Sequence, residues 1–414
     1  MVEERCMNSD LLKTRREKLK NLLNNGDLVI VFSAEEPTGI TNLLQNNNFL
    51  YLTGLNEVQE AIYICAKIND TCSEALFIQR NIPERIVWDG EKMYPDEATK
   101  LSGIEKVKFL DEFDMDIMGY FYNSSKVFVN YGVTHPKRPL NKGLYFISNV
   151  RERFVHLEFA EVNQLMIPLR QIKDHIEIEY MSKAIEITGI GLDSIFKSAK
   201  VGMYEYELEA VLFYEMRRRG LTQFGFAPII ATGINATTLH YKKNNSQIME
   251  NDLVLCDVGA LYNNYSADIT RTFPINNKFT HRQKEIYTEV LNCQKTIISL
   301  IKPNISMVDL NNKTVELIGE SCLKLKLTTD VKDYKKYYMH SIGHHLGMDT
   351  HDIGPRNSVL AEGMVITVEP GIYVSEERIG VRIEDDVLVT KEGCKVLSNM
   401  IPKEIDELER IRNL

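Results

Sequence analysis

A chain of 414 residues, 44% hydrophobic and 26% charged, has the composition of an ordinary globular protein of about two domains and none of the marks of a disordered one. Its 49 basic and 58 acidic residues leave a formal charge of -9, which argues against nucleic acid or an anionic membrane as main partner and favours metal cations or basic substrates. Seven scattered cysteines without a CxxC pair exclude a disulfide framework and a zinc knuckle; with no secretory signal and no apolar run near the roughly 20 residues that span a bilayer, the expected location is the cytoplasm.

The charge-punctuated N-terminus, MVEERCMNSDLLKTRREKLKNLL, reads as an amphipathic helix. β-Branched and aromatic runs at 27–33 (DLVIVFS), 49–55 (FLYLTGL), 60–66 (EAIYICA), 74–80 (EALFIQR) and 126–132 (KVFVNYG) predict the strands of a small α/β domain. Pro168 interrupts the pattern, so the domains are placed at 1–168 and 169–414. Beyond the break come a helix pair at 174–197 and 204–219, strands at 226–232 and 238–242, and a hairpin within DLVLCDVGALYNNYSADITRTF. A helix opened by the capping pair Thr280 and Gln283 follows. Another helix at 306–325, the segment MHSIGHHLGMDTHD (339–352) and a strand pair within GMVITVEPGIYVSEERIGVRIEDDVLVT complete the order. Helices, strands and an acidic hairpin thus occur twice in the same order, which suggests two related halves.

The acids in those hairpins interrupt apolar strands. A turn centred between Tyr262 and Asn263 would set Asp257 and Asp268 nearly opposite each other. Two half-buried carboxylates in that position need a proton or a cation between them. In the second pair Val365, Thr367 and Glu369 share one face, and Arg382, Glu384 and Asp386 share another. Glu384 alone would ordinarily point to solvent; its company changes the reading. Four carboxylates are neutralised by two divalent cations, and an oxygen-rich set with one imidazole suits Mn²⁺, Co²⁺ or Fe²⁺ at least as well as Zn²⁺.

His340 and His344 are four apart, but Gly343 and Gly347 speak against a helix, and no HExxH pattern is present. In an extended segment His344 and His345 point to opposite sides, so one of the pair at most is a ligand. His345 reads as a packed or surface residue, as do His135, His156, His175 and His281.

The ordered set CDVGALYNNYSADITRTF, MHSIGHHLGMDTHD, TVEPGIY and GVRIEDD resembles the pita-bread metallopeptidases, most closely the aminopeptidase P branch, with prolidase as near kin. The resemblance spans about residues 170–414 and reaches forward through HYKKNN, NNNFLYLTGLNE and VWDGEKMYP. It implies a C-terminal pita-bread domain of two pseudo-symmetric halves behind a smaller α/β domain that serves assembly and shapes the cleft. By it, Asp257, Asp268, His344, Glu369 and Glu384 hold two divalent ions, Mn²⁺ foremost, with Asp268 and Glu384 bridging. His351 would lie near the scissile carbonyl oxygen, and His240 and His340 towards the bound proline and the residues beyond. Arg382 would support the carboxylates from behind. The implied reaction is hydrolysis of an N-terminal Xaa-Pro bond by a metal-bridging hydroxide, with Glu369 carrying the proton.

Three rivals share the ligand set or the fold. Prolidase would close the groove behind a dipeptide. Methionine aminopeptidase usually lacks a front domain and has a different histidine segment. A binding module would have lost the ligands, and all five are present here. The resemblance further implies a homodimer or homotetramer, with Trp88 either lining a neighbouring subunit's cleft or packed in the core.

Overall fold

The computed structural model describes residues 9–36, 44–132, 135, 137 and 139–412, in two compact units that divide at Leu169 and Arg170. Cys6 and the start of the predicted N-terminal helix lie outside the described residues.

The first unit is built on a mixed sheet of β1 (Asp27–Phe32), β2 (Ile62–Ile68), β3 (Thr71–Ile78), β4 (Val107–Phe109), β5 (Lys126–Val129) and β6 (Glu158–Glu161), in the order β4-β3-β2-β1-β5-β6. Strand β1 runs antiparallel to β2 and parallel to β5. Alternate residues Leu28, Ile30 and Phe32 fall on one face with Ile62, Ile64, Phe77, Val127 and Val129. Phe113 and Phe121 cover that face, and Phe113 meets Phe77 edge-on at 5.2 Å. Around the sheet lie α1 (Ser9–Leu22), α2 (Asn47–Thr53), α3 (Pro83–Asp89), α4 (Pro95–Ser102), α5 (Phe113–Asn123), α6 (Lys142–Arg151) and α7 (Asn163–Arg170).

Helix α2 corrects the strand expected at 49–55. Asn46 caps it by accepting the Phe49 N–H, Gly54 closes it in the left-handed region, and every residue from 48 to 53 is buried. A segment buried on all sides has no apolar period with which to distinguish helix from strand. Arg16 on α1, fully buried, donates to the last carbonyls of α2 and α4, Leu52 O at 2.9 Å and Ser102 O at 2.8 Å, and pairs with Glu74 at 3.1 Å. One guanidinium thus satisfies two helix C-termini and complements both dipoles. Trp88, on α3, is 85% exposed, which overturns the core reading of that residue.

The second unit repeats one plan. Helices α8 (His175–Ser198) and α9 (Glu205–Arg217) precede β7 (Ile229–Thr232), β8 (Leu253–Val258), the short ribbon β9 (Leu261–Tyr262) and β10 (Tyr265–Ser266), and β11 (Ile269–Pro274). Helices α10 (His281–Leu300) and α11 (Met307–Lys324) precede β12 (Val365–Val368), β13 (Gly371–Val374), β14 (Ile379–Arg382), β15 (Asp385–Val389) and β16 (Cys394–Val396); α12 (Ile405–Ile411) follows. The order β11-β8-β7 in one sheet and β12-β15-β16 in another shows the two halves. Thr280 and Gln283 form the capping box the sequence announces. The strand expected at 238–242 is absent. A 3-10 turn at Gly233–Thr237 ends β7, and Tyr241 turns inward to donate to the buried Glu205 at 2.8 Å, which a strand would not allow.

Removing the Arg16 guanidinium orphans two helix-terminal carbonyls while Glu74 keeps Lys20 at 3.3 Å. Arg16→Leu is expected to lower unfolding free energy by about 2 kcal/mol, measured by urea titration.

Candidate metal centre

Each half contributes a long hairpin interrupted part-way, and the acids sit at or beside the interruptions. In the first, Tyr262 pairs with Tyr265 across Asn263 and Asn264, both in the left-handed region (φ 48° and 60°), which is the backbone a two-residue hairpin loop requires. The register therefore sets Asp257 opposite Thr270, not Asp268. Asp268 lies two residues before Thr270 on the same face, a diagonal neighbour of Asp257. The expected turn centre was one residue too early.

In the second hairpin, β12 pairs with β15 and β13 with β14 in a single continuous register. Glu369 and Glu384 fall directly opposite each other in the gap between those ladders. Their backbone N–H groups, free of the hairpin, donate elsewhere: Glu369 N to Ile342 O (2.8 Å) and Glu384 N to Thr270 O (3.0 Å). The second bond ties one hairpin to the other.

The histidine segment lies alongside β12 in extended form. His345 forms an antiparallel bridge with Ile366, and the Thr367 and Leu346 N–H groups donate to His344 O and Val365 O. Gly343 permits this approach, since a Cβ there would stand 2.0 Å from Thr367 O. Neighbouring side chains consequently diverge. His344 faces the acids, its Nε2 3.4 Å from Asp268 Oδ2 and 3.6 Å from Glu369 Oε1. Its Nδ1 lies 3.0 Å from His345 O; donation to that carbonyl leaves Nε2 with a free lone pair towards the carboxylates. His345 faces away into the interior, within hydrogen-bond reach of Ser358 Oγ and Gln171 Nε2, and burial holds its pKa down at about 4. It is a packed histidine.

Asp268, His344 and Glu384 bring one donor atom each within 4.8 Å of one another. Burial, then the charge of Asp257, pushes the Asp268 carboxyl well above the usual range; burial, then Asp268 and Glu369, does the same to Glu384. Burial also lifts Glu369, to about 7. Arg382, nearly fully buried, donates through Nη2 to Asp257 Oδ2 at 2.5 Å, through Nε to Thr270 Oγ1 at 3.1 Å and through Nη1 to Tyr373 OH at 3.2 Å. Tyr373 OH in turn lies 2.8 Å from His340 Nε2, and His340 Nδ1 is 2.9 Å from Ser341 O. Donation runs one way along this line, from guanidinium to phenol to imidazole to carbonyl, and requires a neutral His340. Burial, then Arg382, holds its pKa at about 4, in agreement.

His351 is exposed, with its ring 4.3 Å from that of His344; burial of its inner side and then His344 keep its pKa low. His240 is also exposed, close enough for its charge to be felt at both His340 and His351. All nine residues singled out in the sequence are thus grouped about one cluster. Sequence reasoning missed Tyr373 and Thr270. Tyr373 shares the alternating face of Glu369, and Thr270 that of Asp268, so period two was the available signal.

Residues 179–391 match the family described as metallopeptidase family M24, and residues 12–128 match the aminopeptidase P N-terminal domain. Xaa-Pro aminopeptidase 3 of Dictyostelium discoideum is 34% identical over 432 residues, covering 96% of this chain and 82% of the relative. A solved structure of a Bacillus anthracis protein assigned as an aminopeptidase P superposes with a TM-score of 0.94 at 38% identity, covering 98% of this chain and 99% of that one. Escherichia coli aminopeptidase P with the inhibitor Pro-Leu gives 0.89 at 28% identity, covering 98% of each chain. With both parts of the chain matched and the fold shared over nearly its whole length, the chain belongs to metallopeptidase family M24, in its aminopeptidase P branch.

Proposed function

We propose that this M24 metallopeptidase is a dinuclear-metal aminopeptidase that removes the first residue from peptides whose second residue is proline. The observation that carries the reading is the convergence of Asp268, Glu369 and Glu384 on His344, with Asp257 beside Asp268 and its Oδ1 buried and lacking any hydrogen-bond partner among the described residues. A buried acceptor without a donor, next to three acids whose pKa values are raised by burial and by neighbouring charge, has the electrostatics of a cation site. Those five side chains would hold two divalent ions. Four carboxylates and one imidazole suit Mn²⁺, with Co²⁺, Fe²⁺ or Zn²⁺ chemically compatible.

Bound there, such ions supply Lewis acidity to the peptide carbonyl and a nucleophile from water near neutral pH. The remaining work falls to the chain. His351, exposed beside His344, donates to the carbonyl oxygen as it gains charge. Glu369, next to both His344 and His340, passes a proton to the leaving nitrogen. A proline nitrogen is tertiary and offers no N–H, so recognition rests on ring shape, which the imidazoles of His240 and His340 would frame. The reading also includes a homo-oligomer, supported by Val87 and Trp88 standing 87% and 85% exposed on α3, and a cytoplasmic location, in keeping with six described cysteines all free.

Incubation of the purified chain with Xaa-Pro, Xaa-Pro-Yaa and Met-Ala-Yaa peptides, with Mn²⁺ and after chelation, tests the assignment. Cleavage of Xaa-Pro-Yaa that chelation abolishes is the expected result; turnover of the dipeptide alone would make the protein a prolidase, and of Met-Ala-Yaa a methionine aminopeptidase. His351→Ala should lower kcat about 100-fold with unchanged melting temperature, since the side chain is exposed.

The acids also set a pH dependence. Without metal, the raised Glu369 carboxyl favours the folded state below its ordinary value of 4.5, and that contribution is lost as pH rises through about 7; Asp268 and Glu384, also raised, act in the same direction. Cations require the ionised forms. The gain in melting temperature on adding Mn²⁺ should therefore be larger at about pH 8 than at about pH 5.5, measured by calorimetry.

A further inference from the structure

Helix α10 lays an apolar stripe of Ile286, Tyr287, Val290, Leu291 and Ile297 against the interior, and Gln294 occupies a position in the middle of that stripe. Its side chain is fully buried. Nε2 donates to two carbonyls, Ile383 O at 3.0 Å and Val368 O at 3.3 Å. These belong to the peptide units that end in the nitrogens of Glu384 and Glu369. The same two units are held from the other side, where the Glu369 and Glu384 N–H groups donate to Ile342 O and Thr270 O. Each peptide plane is thereby fixed at both ends, and one amide nitrogen is common to the two.

The orientation of that amide follows from chemistry: turned by half a revolution, Oε1 would face two carbonyl oxygens. As it stands, Oε1 is buried without a partner among the described residues. An unsatisfied buried carbonyl is a cost that a methionine or leucine in the same space would avoid. The two ladders of the second hairpin stop on either side of Glu369 and Glu384, and the backbone bond across the gap, Ile383 N to Pro370 O, is long at 3.4 Å.

Resting on the metal-centre reading above, we infer that Gln294 is a positioning residue of that centre: its side-chain amide clamps the backbone of Glu369 to that of Glu384 and so sets the spacing of two metal-holding carboxylates. It touches neither ion nor substrate. The clamp acts before any cation arrives, by keeping opposed carboxylates from splaying apart.

The test compares wild type with Gln294→Met, which keeps the volume and removes both donors. Two readouts are taken: amide hydrogen exchange at Glu369 and Glu384 in the metal-free protein, and a calorimetric Mn²⁺ titration. The expected result is exchange at both amides faster by about tenfold and Mn²⁺ affinity weaker by about 10- to 100-fold. For Xaa-Pro-Yaa peptides at saturating Mn²⁺, kcat falls while KM stays within about twofold. Ile297→Val, a packing change on the same stripe, should leave all of these at wild-type values. Wild-type exchange and Mn²⁺ binding in Gln294→Met would overturn the inference, as would equal losses in Ile297→Val. If Gln294→Met does not fold, Gln294→Glu serves: charge alone would tighten cation binding, so weaker binding supports the clamp and unchanged or tighter binding sinks it. The exchange readout needs no metal, so a wild-type chain that takes up no Mn²⁺ would refute the metal-centre reading while the clamp is still judged at the two amides.

Discussion

Mutual repulsion among carboxylates is the constraint around which the second unit is organised. Two like charges about 4 Å apart cost about 4 kcal/mol at the effective dielectric of a protein, and four acids meet here. Left to side-chain contacts alone, they would separate. The fold prevents this by anchoring their backbones. Strand β11 is bonded to the second hairpin at alternate residues: Thr270 O accepts from Glu384 N, Thr270 Oγ1 donates to Glu384 Oε2 at 2.7 Å, and Thr272 Oγ1 donates to Arg382 O at 2.9 Å. The Asp268 N–H donates to Asp386 Oδ2 at 3.2 Å, joining the hairpins a second time. Convergence of the acids is therefore a property of backbone hydrogen bonding.

Two buried arginines divide the electrostatic task. Arg271 lies behind the centre, fully buried, pairing with Asp385 at 2.8 Å and donating to the carbonyls of Thr270, Glu384, Ile401 and Pro402. Its charge is consumed by structure: burial pushes the Asp385 carboxyl up, yet Arg271 and Lys403 together hold it down at about 2. Arg382 lies in front and pairs with Asp257, leaving only one oxygen of that acid for a cation. Were the two roles exchanged, the cluster would be neutralised by protein charge and would have no use for a metal.

Much of this was legible in the sequence, and the failures have definite causes. The four acids stand out because they interrupt apolar strands, and glycines mark the histidine segment; the preference for His344 over His345 came only with the family resemblance. The halves are visible in the order of elements. Residues 49–55 were misread because burial on all sides erases periodicity. The first hairpin was misregistered although Asn263 and Asn264 are the residues that a left-handed two-residue loop prefers. Residues 238–242 were misread because Tyr241 is directed by the buried Glu205, a partner 36 positions away. What no local pattern could disclose is the set of long-range bonds: Arg382 to Asp257, Tyr373 to His340, and Gln294 to two strand ends.

The opposed orientations of His344 and His345 show how a single backbone register decides which imidazole meets the acids. Extended pairing with β12 forces the two imidazoles apart, so which of them faces the acids is decided by parity and not by residue type. Parity alone would drift unless both ends of the segment were tied. One tie is the Glu369 N–H on Ile342 O. The other is Asp352, whose carboxyl bonds Arg170 at 2.6 Å and Lys173 at 3.1 Å, all three buried. Burial raises that carboxyl's pKa, but the two cations outweigh it and hold the group below its ordinary value. Gly347 makes room, since a Cβ there would stand 2.1 Å from Asp352 Oδ2. His351 is thus an exposed imidazole joined to a fixed root one residue away. Such an arrangement places an imidazole at the solvent edge of the centre without paying for its burial, which suits the carbonyl-stabilising role proposed for it.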